Sequence, residues 1–429
     1  MAENRQSSLA LLLLGLLSQA PVLAQQDEPQ ATDAVVEVDL SARPSFGGPD
    51  SVADQLATDA ESRDSFFERP ILPGFAMWKN RMQEENGLTP GFDYSAVYLS
   101  ASESLSEDNA AGGMLRFYGS WDLAGRAADS HTTGTFVWKI ENRHKFSNIP
   151  PSDLGFATGY IGLHEPPFSD QKARVTNLYW RQRWDRLTLV AGFLDATDYV
   201  DVYAMASPWT GFMNFAFSTG TTTIPVPNDA TLGVALGAWL TDRMYIIGGI
   251  ADTNSDPTDP FEGFDTFFDD REYFKHFEIG TTSSQERIYL DNMHLTIWQV
   301  DERVRAGTPD GWGVNFSYTR YVNEKWFPFI RAGYANDGGS LMEKSLSVGV
   351  GYQPVPAKNL LGVGFNWGNP NESSFPGGLG NQYAIEVFYR INVSDQFVVT
   401  PDVQFIKHPA LNPAESTIWM FGLRARLAF

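Results

Sequence analysis

An alternation of apolar and polar residues, running from Gly91 to the last residue, constrains the fold more than any other feature. The closing segment "STIWMFGLRARLAF" shows it clearly. One set of alternate positions is apolar from Trp419 to Phe429, and the other set carries Arg424 and Arg426. A period of two is that of a β-strand, whose successive side chains point to opposite faces. We therefore expect one face of this strand to meet lipid and the other to meet water.

The same alternation recurs along the chain in about sixteen segments of about 9–13 residues, the length that crosses a bilayer as a tilted strand. The predicted strands are 92–105, 112–124, 132–143, 174–184, 187–195, 230–240, 243–251, 272–281, 292–301, 311–321, 326–335, 343–353, 359–368, 380–391, 396–406 and 416–429.

The connections between these segments alternate between short and long. Short connections include 185–186, 241–242, 323–325 and 392–395. Long connections are 144–173, 196–229, 252–271, 369–379 and 407–415. Short periplasmic turns and long extracellular loops are typical of outer-membrane barrels. In hydrocarbon every backbone group must be paired, so the sheet has to close without an edge. We predict an all-β protein, a 16-stranded antiparallel transmembrane β-barrel, whose last strand pairs with the strand near 92–105.

Composition excludes several other classes of protein. The chain has no cysteine, so disulfides, thiolate catalysis and cysteine-ligated metals are ruled out. The net charge of −21 argues against a nucleic-acid partner, which needs a basic surface. The sequence holds no G-x-S-x-G elbow, H-E-x-x-H or P-loop motif, and we predict that the protein is not an enzyme and uses no cofactor or metal.

The first ninety residues differ from the rest. Residues 1–24 resemble a signal peptide, with Arg5, an apolar run at 9–17 and a small-residue site at Ala24, so export is expected. Residues 25–90 read as an acidic arm followed by short helices. One helix begins near Asp50, its expected N-cap, and a second ends at Gly87. These helices lie either in the periplasm or in the lumen of the barrel, which we assign to residues 91–429.

At this point the sequence resembles the carbohydrate-selective porins of the OprB type over nearly all of the chain after the leader. The segments that carry the resemblance are "SVADQL" (51–56), "GG" (112–113), "LTLVAGFLDATDYV" (187–200), "FMNFAFS" (212–218), "FIRAGYAN" (329–336), "YRINVSDQFVVTPDVQFIKHPALNP" (389–413) and "GLRARLAF" at the end. The resemblance implies a 16-stranded outer-membrane barrel that passes mono- and small oligosaccharides by diffusion through a constriction built from inward-folded loops.

A sugar pore needs hydrogen-bonding groups and aromatic faces at a narrow waist. The candidates are the polar side chains opposite the apolar face, with two aromatic side chains of the loop 196–229. They are Arg116, Lys139, Glu141, Arg181, Arg183, Asp195, Trp209, Phe212, Arg331, Glu386, Arg390, Arg424 and Arg426. The loop is too aromatic to lie in water, so we expect it to fold into the lumen and to pack against the loop 144–173. The alternative is that both loops cap the barrel mouth.

The expected partners are small neutral carbohydrates, outer-membrane lipid and lipopolysaccharide. By resemblance, Phe429 is the aromatic terminus that barrel-assembly machinery recognises. The sequence leaves open whether the barrel is a monomer or a trimer. It also leaves open whether the acidic loop 256–270 binds Ca²⁺, although its spacing is not that of an EF-hand. Two other functions remain as alternatives: a general or ion-selective porin of the same fold, and a surface barrel without transport activity.

Overall fold

The computed structural model describes residues 46–61, 72–127, 130–227, 229–354 and 359–429. The expected leader 1–24 and most of the acidic arm lie outside these residues. Sixteen strands form a closed barrel in which each strand pairs with its sequence neighbours and β16 pairs with β1. The strands are β1 (Leu88–Ala101), β2 (Asn109–Ala124), β3 (Thr133–Lys145), β4 (Lys172–Arg183), β5 (Leu187–Leu194), β6 (Thr231–Trp239), β7 (Met244–Asp252), β8 (Tyr273–Thr282), β9 (Asn292–Val300), β10 (Gly311–Thr319), β11 (Trp326–Asp337), β12 (Met342–Tyr352), β13 (Leu360–Pro370), β14 (Gln382–Asn392), β15 (Phe397–Lys407) and β16 (Thr417–Ala428).

The seam of the barrel closes as predicted, through the chain's final strand. Asp93 lies opposite Ala428 in an antiparallel ladder. Beyond the ladder, the Phe429 amide donates to the Phe92 carbonyl at 2.7 Å, and the Phe92 amide donates to the Phe429 carbonyl at 3.1 Å. Each of the sixteen predicted segments is a strand, and the fold prediction is confirmed.

The first strand shows the largest boundary error, because it runs over Leu88–Ala101 rather than 92–105. Pro90 and Gly91 hide the alternation in the sequence, since both residue types weaken a strand pattern. In the barrel Pro90 lies opposite Gly119 of β2 and continues the ladder. The residues after Ala101 turn away toward β2 instead.

The two faces of the wall differ as the alternation predicts. Phe421 and Leu423 point outward and are 53% and 51% exposed. Arg424, the next residue, points inward and is 1% exposed. Trp180 and Trp184 lie beside the tight turn between β4 and β5, where an interfacial aromatic girdle would lie. In the described part of the chain, no helix is long and apolar enough to cross a membrane.

Two helices precede the barrel, α1 (Val52–Ala60) and α2 (Pro73–Asn86). The predicted end of α2 is confirmed, because Gly87 adopts φ 69° and its amide donates to the Gln83 carbonyl at 2.9 Å. The predicted N-cap of α1 is wrong. Ser51 caps the helix by accepting from the Asp54 amide at 3.3 Å, whereas the Asp50 carboxylate accepts from the Ser207 hydroxyl at 2.5 Å.

Two further short helices lie in long loops, α3 (Leu154–Thr158) between β3 and β4, and α4 (Glu262–Asp265) between β7 and β8. Short 3₁₀ turns follow β5 at Ala196–Asp198 and recur at Phe215–Phe217 and Thr219–Thr222. Arg305, in the connection between β9 and β10, pairs with two acids of the acidic loop, Glu262 at 3.1 Å and Asp270 at 3.0 Å.

Candidate functional site

The loop between β5 and β6, residues 195–230, folds into the lumen, and we call it the constriction loop. Trp209, Phe212 and Phe217 are 7%, 3% and 0% exposed. The Phe212 ring lies 4.5 Å from that of Phe217 and 5.0 Å from that of Phe388 on the wall. The expectation that these aromatic side chains are buried inside the barrel is therefore confirmed.

Buried arginines of the wall fasten the constriction loop. The Arg331 guanidinium pairs with the Asp201 carboxylate and donates to the Asp201 carbonyl at 2.8 Å. Arg424 donates to the Pro208 carbonyl at 2.5 Å and to the Gly211 carbonyl at 2.9 Å. The loop carbonyls in these contacts have no partner in the sheet, and buried backbone groups need hydrogen-bond partners.

A buried carboxylate of the wall also holds the constriction loop, as an acceptor rather than a donor. Glu386 on β14 accepts from the amides of Met213 at 2.5 Å and Asn214 at 3.0 Å. The wall thus offers acceptors to loop amides as well as donors to loop carbonyls. Arg331, Glu386 and Arg424 were predicted as pore-lining residues, and the structure places them between the wall and the constriction loop.

The loop between β3 and β4 packs against the constriction loop, as expected. The Glu165 amide donates to the Met213 carbonyl at 2.7 Å, and the Phe215 amide donates to the Leu163 carbonyl at 2.9 Å. The Glu165 carboxylate also accepts from Arg424 at 2.6 Å, so one wall arginine holds both loops.

Residues 46–61 lie inside the barrel, and we call them the N-terminal hairpin. The Phe46 ring stacks 5.3 Å from Trp239, at the end of β6 beside a short turn. The hairpin then reaches Asp50, and α1 returns to Asp59, which accepts from Arg426 at 2.8 and 2.9 Å. Both legs therefore lie toward the short-turn end, and Asp50 is near the apex.

Arg116 and Arg426 meet at the base of α1. The Arg116 Nε donates to Asp93 at 2.8 Å, and the Arg426 Nε donates to the other Asp93 oxygen at 2.7 Å. The Arg116 guanidinium also lies 4.1 Å from the centre of the Trp209 ring. A single cluster of charges thus joins the wall, the hairpin and the constriction loop.

Among the described residues, the lumen holds two cavities of about 300 and about 320 Å³. The first lies toward the short-turn end, where Tyr289 and Gln353 border it. The second lies toward the long-loop end, where Gln171 borders it. Asp50 and Trp209 border both cavities, so the two meet at these side chains. We call this meeting point the waist.

The predicted site residues divide by position. Arg116, Trp209, Arg390 and Arg426 border the first cavity. Lys139, Glu141, Asp195 and Trp209 border the second.

The others lie elsewhere. Arg181 borders a smaller space of about 50 Å³ beside Phe46, and Arg183 lies at the short-turn rim next to Trp184. Phe212 lies where the constriction loop packs against the wall. The same contact contains Arg331, Glu386 and Arg424.

Acidic and basic groups alternate closely around the second cavity. The Lys139 ammonium donates to Asp198 at 3.3 Å, and Asp229 accepts from Arg143 and Arg174, both at 2.7 Å. Burial opposes ionisation of Asp229, but these two guanidinium groups outweigh it and lower the pKa of Asp229 to about 2. The cavity is therefore lined by charges that largely neutralise one another.

The hairpin carboxylates are in a different electrostatic state. Burial raises the pKa of Asp50 to about 6, although Ser207 and Lys139 oppose the shift. Burial also raises the pKa of Asp54 to about 7, against the hydrogen bond that the Tyr289 hydroxyl donates to it. Asp54 also lies close to other carboxylates of the same hairpin, and Asp50 lies close to Asp195 of the constriction loop, which favours the neutral form of both groups further.

The sequence did not reveal the functional partners on the inserted segments. Asp50 was interpreted as a helix cap, and Asp59, Glu165 and Asp201 were not singled out, nor was Asp93 on β1. One usable signal was present: the N-terminal hairpin carries carboxylates at 50, 54 and 59 ahead of a barrel whose inner face is rich in arginine. That excess of acid over base on a short helix indicates a basic docking surface.

Comparison with known proteins agrees with this geometry. The family model of the carbohydrate-selective porin, OprB family, matches residues 123–291 and 277–429. Together these matches cover well over half of the chain. The chain belongs to this family.

Other porins show how far the likeness extends. A structure of Pseudomonas putida OprB at high pH superposes with a TM-score of 0.64 at 13% identity, covering 86% of this chain and 99% of that one. A mutant of the Rh. blastica porin gives a TM-score of 0.50 at 11% identity over 80% of this chain and 100% of that one. At these identities the likeness establishes the shared fold.

A sequence relative is the porin AaxA of Chlamydia pneumoniae, 32% identical over 128 residues, which is 28% of this chain and 28% of that protein. The match thus spans about a quarter of the curated relative. Membership in the OprB family together with the closed barrel implies an outer-membrane location, and the fold is the one that porin channels share. Carbohydrates are the substrates that the family is named for.

Proposed function

We propose that this OprB-family barrel lets mono- and small oligosaccharides diffuse passively across the outer membrane into the periplasm. The observation that carries the proposal is the waist, where two cavities of about 300 and about 320 Å³ meet at Asp50 and Trp209 inside a closed barrel. A pore with a single narrow point and weakly binding spaces on either side can select a solute and still release it.

The lining favours neutral polyhydroxyl solutes over ions. Lys139, Arg143 and Arg174 alternate with acids at the second cavity, so the wall offers hydrogen-bond donors and acceptors with little net field. Trp209 supplies an aromatic group at the waist. Among the predicted site residues, those that border the two cavities are the ones we propose to contact the solute: Arg116, Lys139, Glu141, Asp195, Trp209, Arg390 and Arg426.

The test is conductance of purified protein in a planar bilayer. We expect discrete channels whose ion current falls when glucose or maltose is added, because a sugar at the waist obstructs the ions. A protein that forms no channels under conditions where another porin conducts would refute the proposal. Parallel swelling of liposomes in sugars and in amino acids of matched size measures selectivity.

Two alternatives give other outcomes. A general or ion-selective porin of the same fold would admit sugars and amino acids by size alone, or would show a strong reversal potential in a salt gradient. A surface barrel without transport would conduct nothing. The alternating charges and the contact of the two cavities at the waist favour the sugar pathway over both.

The route to the membrane completes the proposal. We propose that residues 1–24 direct export, that Phe429 is read by the barrel-assembly machinery, and that the outer face meets lipid and lipopolysaccharide. The exposed band that includes Trp419, Phe421 and Leu423 supports the last point. Crosslinking in intact membranes would distinguish a monomer from a trimer.

A further inference from the structure

The apex of the N-terminal hairpin occupies the waist, although it belongs neither to the wall nor to an extracellular loop. Asp50 borders both cavities and is 8% exposed. A side chain in this position meets every solute that passes from one cavity to the other.

The Asp50 carboxylate is held by one oxygen. Its Oδ1 accepts from the Ser207 hydroxyl of the constriction loop at 2.5 Å. Among the hydrogen bonds between described residues, none involves Asp50 Oδ2. A carboxylate oxygen with accessible lone pairs is a strong acceptor for hydroxyl groups, stronger than a neutral amide or hydroxyl would be.

The backbone of the apex is fixed by the wall, by α1 and by the constriction loop. Lys139 donates to the Asp50 carbonyl at 3.1 Å, and the Gln55 side chain donates to the same carbonyl at 3.0 Å. The Gly48 amide donates to the Asp198 carbonyl at 2.6 Å. The carboxylate is therefore presented in a fixed place, which lowers the entropic cost of binding a solute.

Complementary groups lie close to this acceptor. Arg116 borders the first cavity, and its Nη1 is buried without a hydrogen-bond partner among the described residues. The Arg116 guanidinium stacks on Trp209, which borders both cavities. Acceptor, donor and aromatic ring thus converge within one short section of the lumen.

We propose that Asp50 is a specificity-determining residue, whose carboxylate accepts hydrogen bonds from the hydroxyl groups of a sugar at the waist. The inference rests on the proposed function and assigns its sharpest selectivity to a segment that precedes the barrel. The N-terminal hairpin is then part of the pore and not a tether left outside it.

The experiment compares sugar block of ion current in purified D50N and wild-type protein in planar bilayers at pH 7.5, above the pKa of Asp50, with maltose as the probe. We expect the half-blocking concentration to rise about tenfold or more in D50N, because an amide replaces a charge-assisted acceptor. E61Q is the matched control. It makes the same chemical change on the same hairpin at a residue that borders only the first cavity, and we expect a change of less than twofold.

A second variant guards against misfolding of D50N. S207A keeps the charge of Asp50 and removes the hydroxyl that orients it, so we expect the half-blocking concentration to rise several-fold. Heat-modifiable mobility on gels confirms that each variant is folded.

The outcomes separate this inference from the proposed function. Absence of channels or of sugar block in the wild-type protein would overturn both. Sugar block in the wild type that is unchanged in D50N and S207A would overturn the role of Asp50 alone. A change in ion selectivity without a change in sugar block would also overturn it.

Discussion

Replacing Arg331 by methionine should loosen the constriction loop, because this side chain is its most heavily bonded anchor on the wall. The Arg331 guanidinium pairs with the Asp201 carboxylate, donates to the Asp201 and Ser218 carbonyls, and lies 4.3 Å from the centre of the Tyr203 ring. Both charged side chains are 1% exposed. Methionine preserves much of the length and apolar volume but leaves a buried carboxylate and two carbonyls without this donor.

The expected loss in free energy of unfolding is about 3 kcal/mol. Removing one partner of a buried ion pair costs about 3–5 kcal/mol, since the remaining charge stays desolvated. The lower end applies because Asp201 keeps two partners. Its carboxylate lies 2.8 Å from the His294 Nε2 and accepts from the Gly220 amide at 2.7 Å.

The measurement is urea unfolding of the protein in lipid vesicles, followed by tryptophan fluorescence. R186M is the matched control, because Arg186 also pairs with an aspartate, Asp242, at 3.1 Å, but the two side chains are 54% and 84% exposed. An exposed pair contributes about 0–1 kcal/mol. We expect R331M to be less stable than R186M by about 2 kcal/mol or more.

The double variant sharpens this test. Adding D201N to R331M removes the unpaired charge, so part of the lost stability should return. If R331M and R186M differ by less than about 1 kcal/mol, or if D201N adds its full cost to that of R331M, the buried pair does not hold the loop in the way we argue.

Three further predictions concern the pore and its assembly. Burial raises the pKa values of Asp50 and Asp54 to about 6 and about 7, so the docked hairpin is most stable below pH about 4 and loses that stability as the pH rises through those values. We therefore expect protease cleavage within 46–61 to be faster at pH 8 than at pH 4.5. Equal cleavage rates would contradict this. A Cβ at Gly364 would lie 2.6 Å from a ring carbon of Phe217, so G364V should displace the constriction loop from the wall and raise single-channel conductance. At Gly248 the nearest atom is at 3.5 Å, so G248V should leave the conductance unchanged. F429A should lower the amount of folded barrel in cells while leaving refolding of the purified protein in detergent unchanged, and an equal loss in both would indicate a structural role only.

The barrel could be predicted from the sequence because its determinants are local. Alternation marks each strand, as Arg424 and Arg426 show by facing inward between apolar neighbours. The lengths of the connections distinguish turns from loops. The inward course of the constriction loop was also predictable, since Trp209 and Phe212 require burial. The arrangement of strands then follows from the need to pair every backbone group.

The interior could not be predicted in the same way, because its contacts join residues far apart in sequence. Asp59 pairs with Arg426, 367 residues further along the chain, and Asp201 pairs with Arg331, 130 residues further along. No periodicity relates such residues, and a carboxylate on a short helix reads first as a cap. The misassignment of Asp50 has this cause: local propensity suggested a role that Ser51 fills.

Buried ion pairs join the wall to the inserted segments. The wall supplies arginines such as Arg331 and Arg424, and the inserted segments supply acids such as Asp201 and Glu165. Apolar packing alone would let a loop slide within the lumen, whereas a misplaced charge would be left buried and unpaired, which is strongly unfavourable. Charge pairing therefore specifies where each insert lies. Asp50 at the waist differs from these paired acids. It borders both cavities, and only one of its carboxylate oxygens holds it in place, so the other is available to a solute.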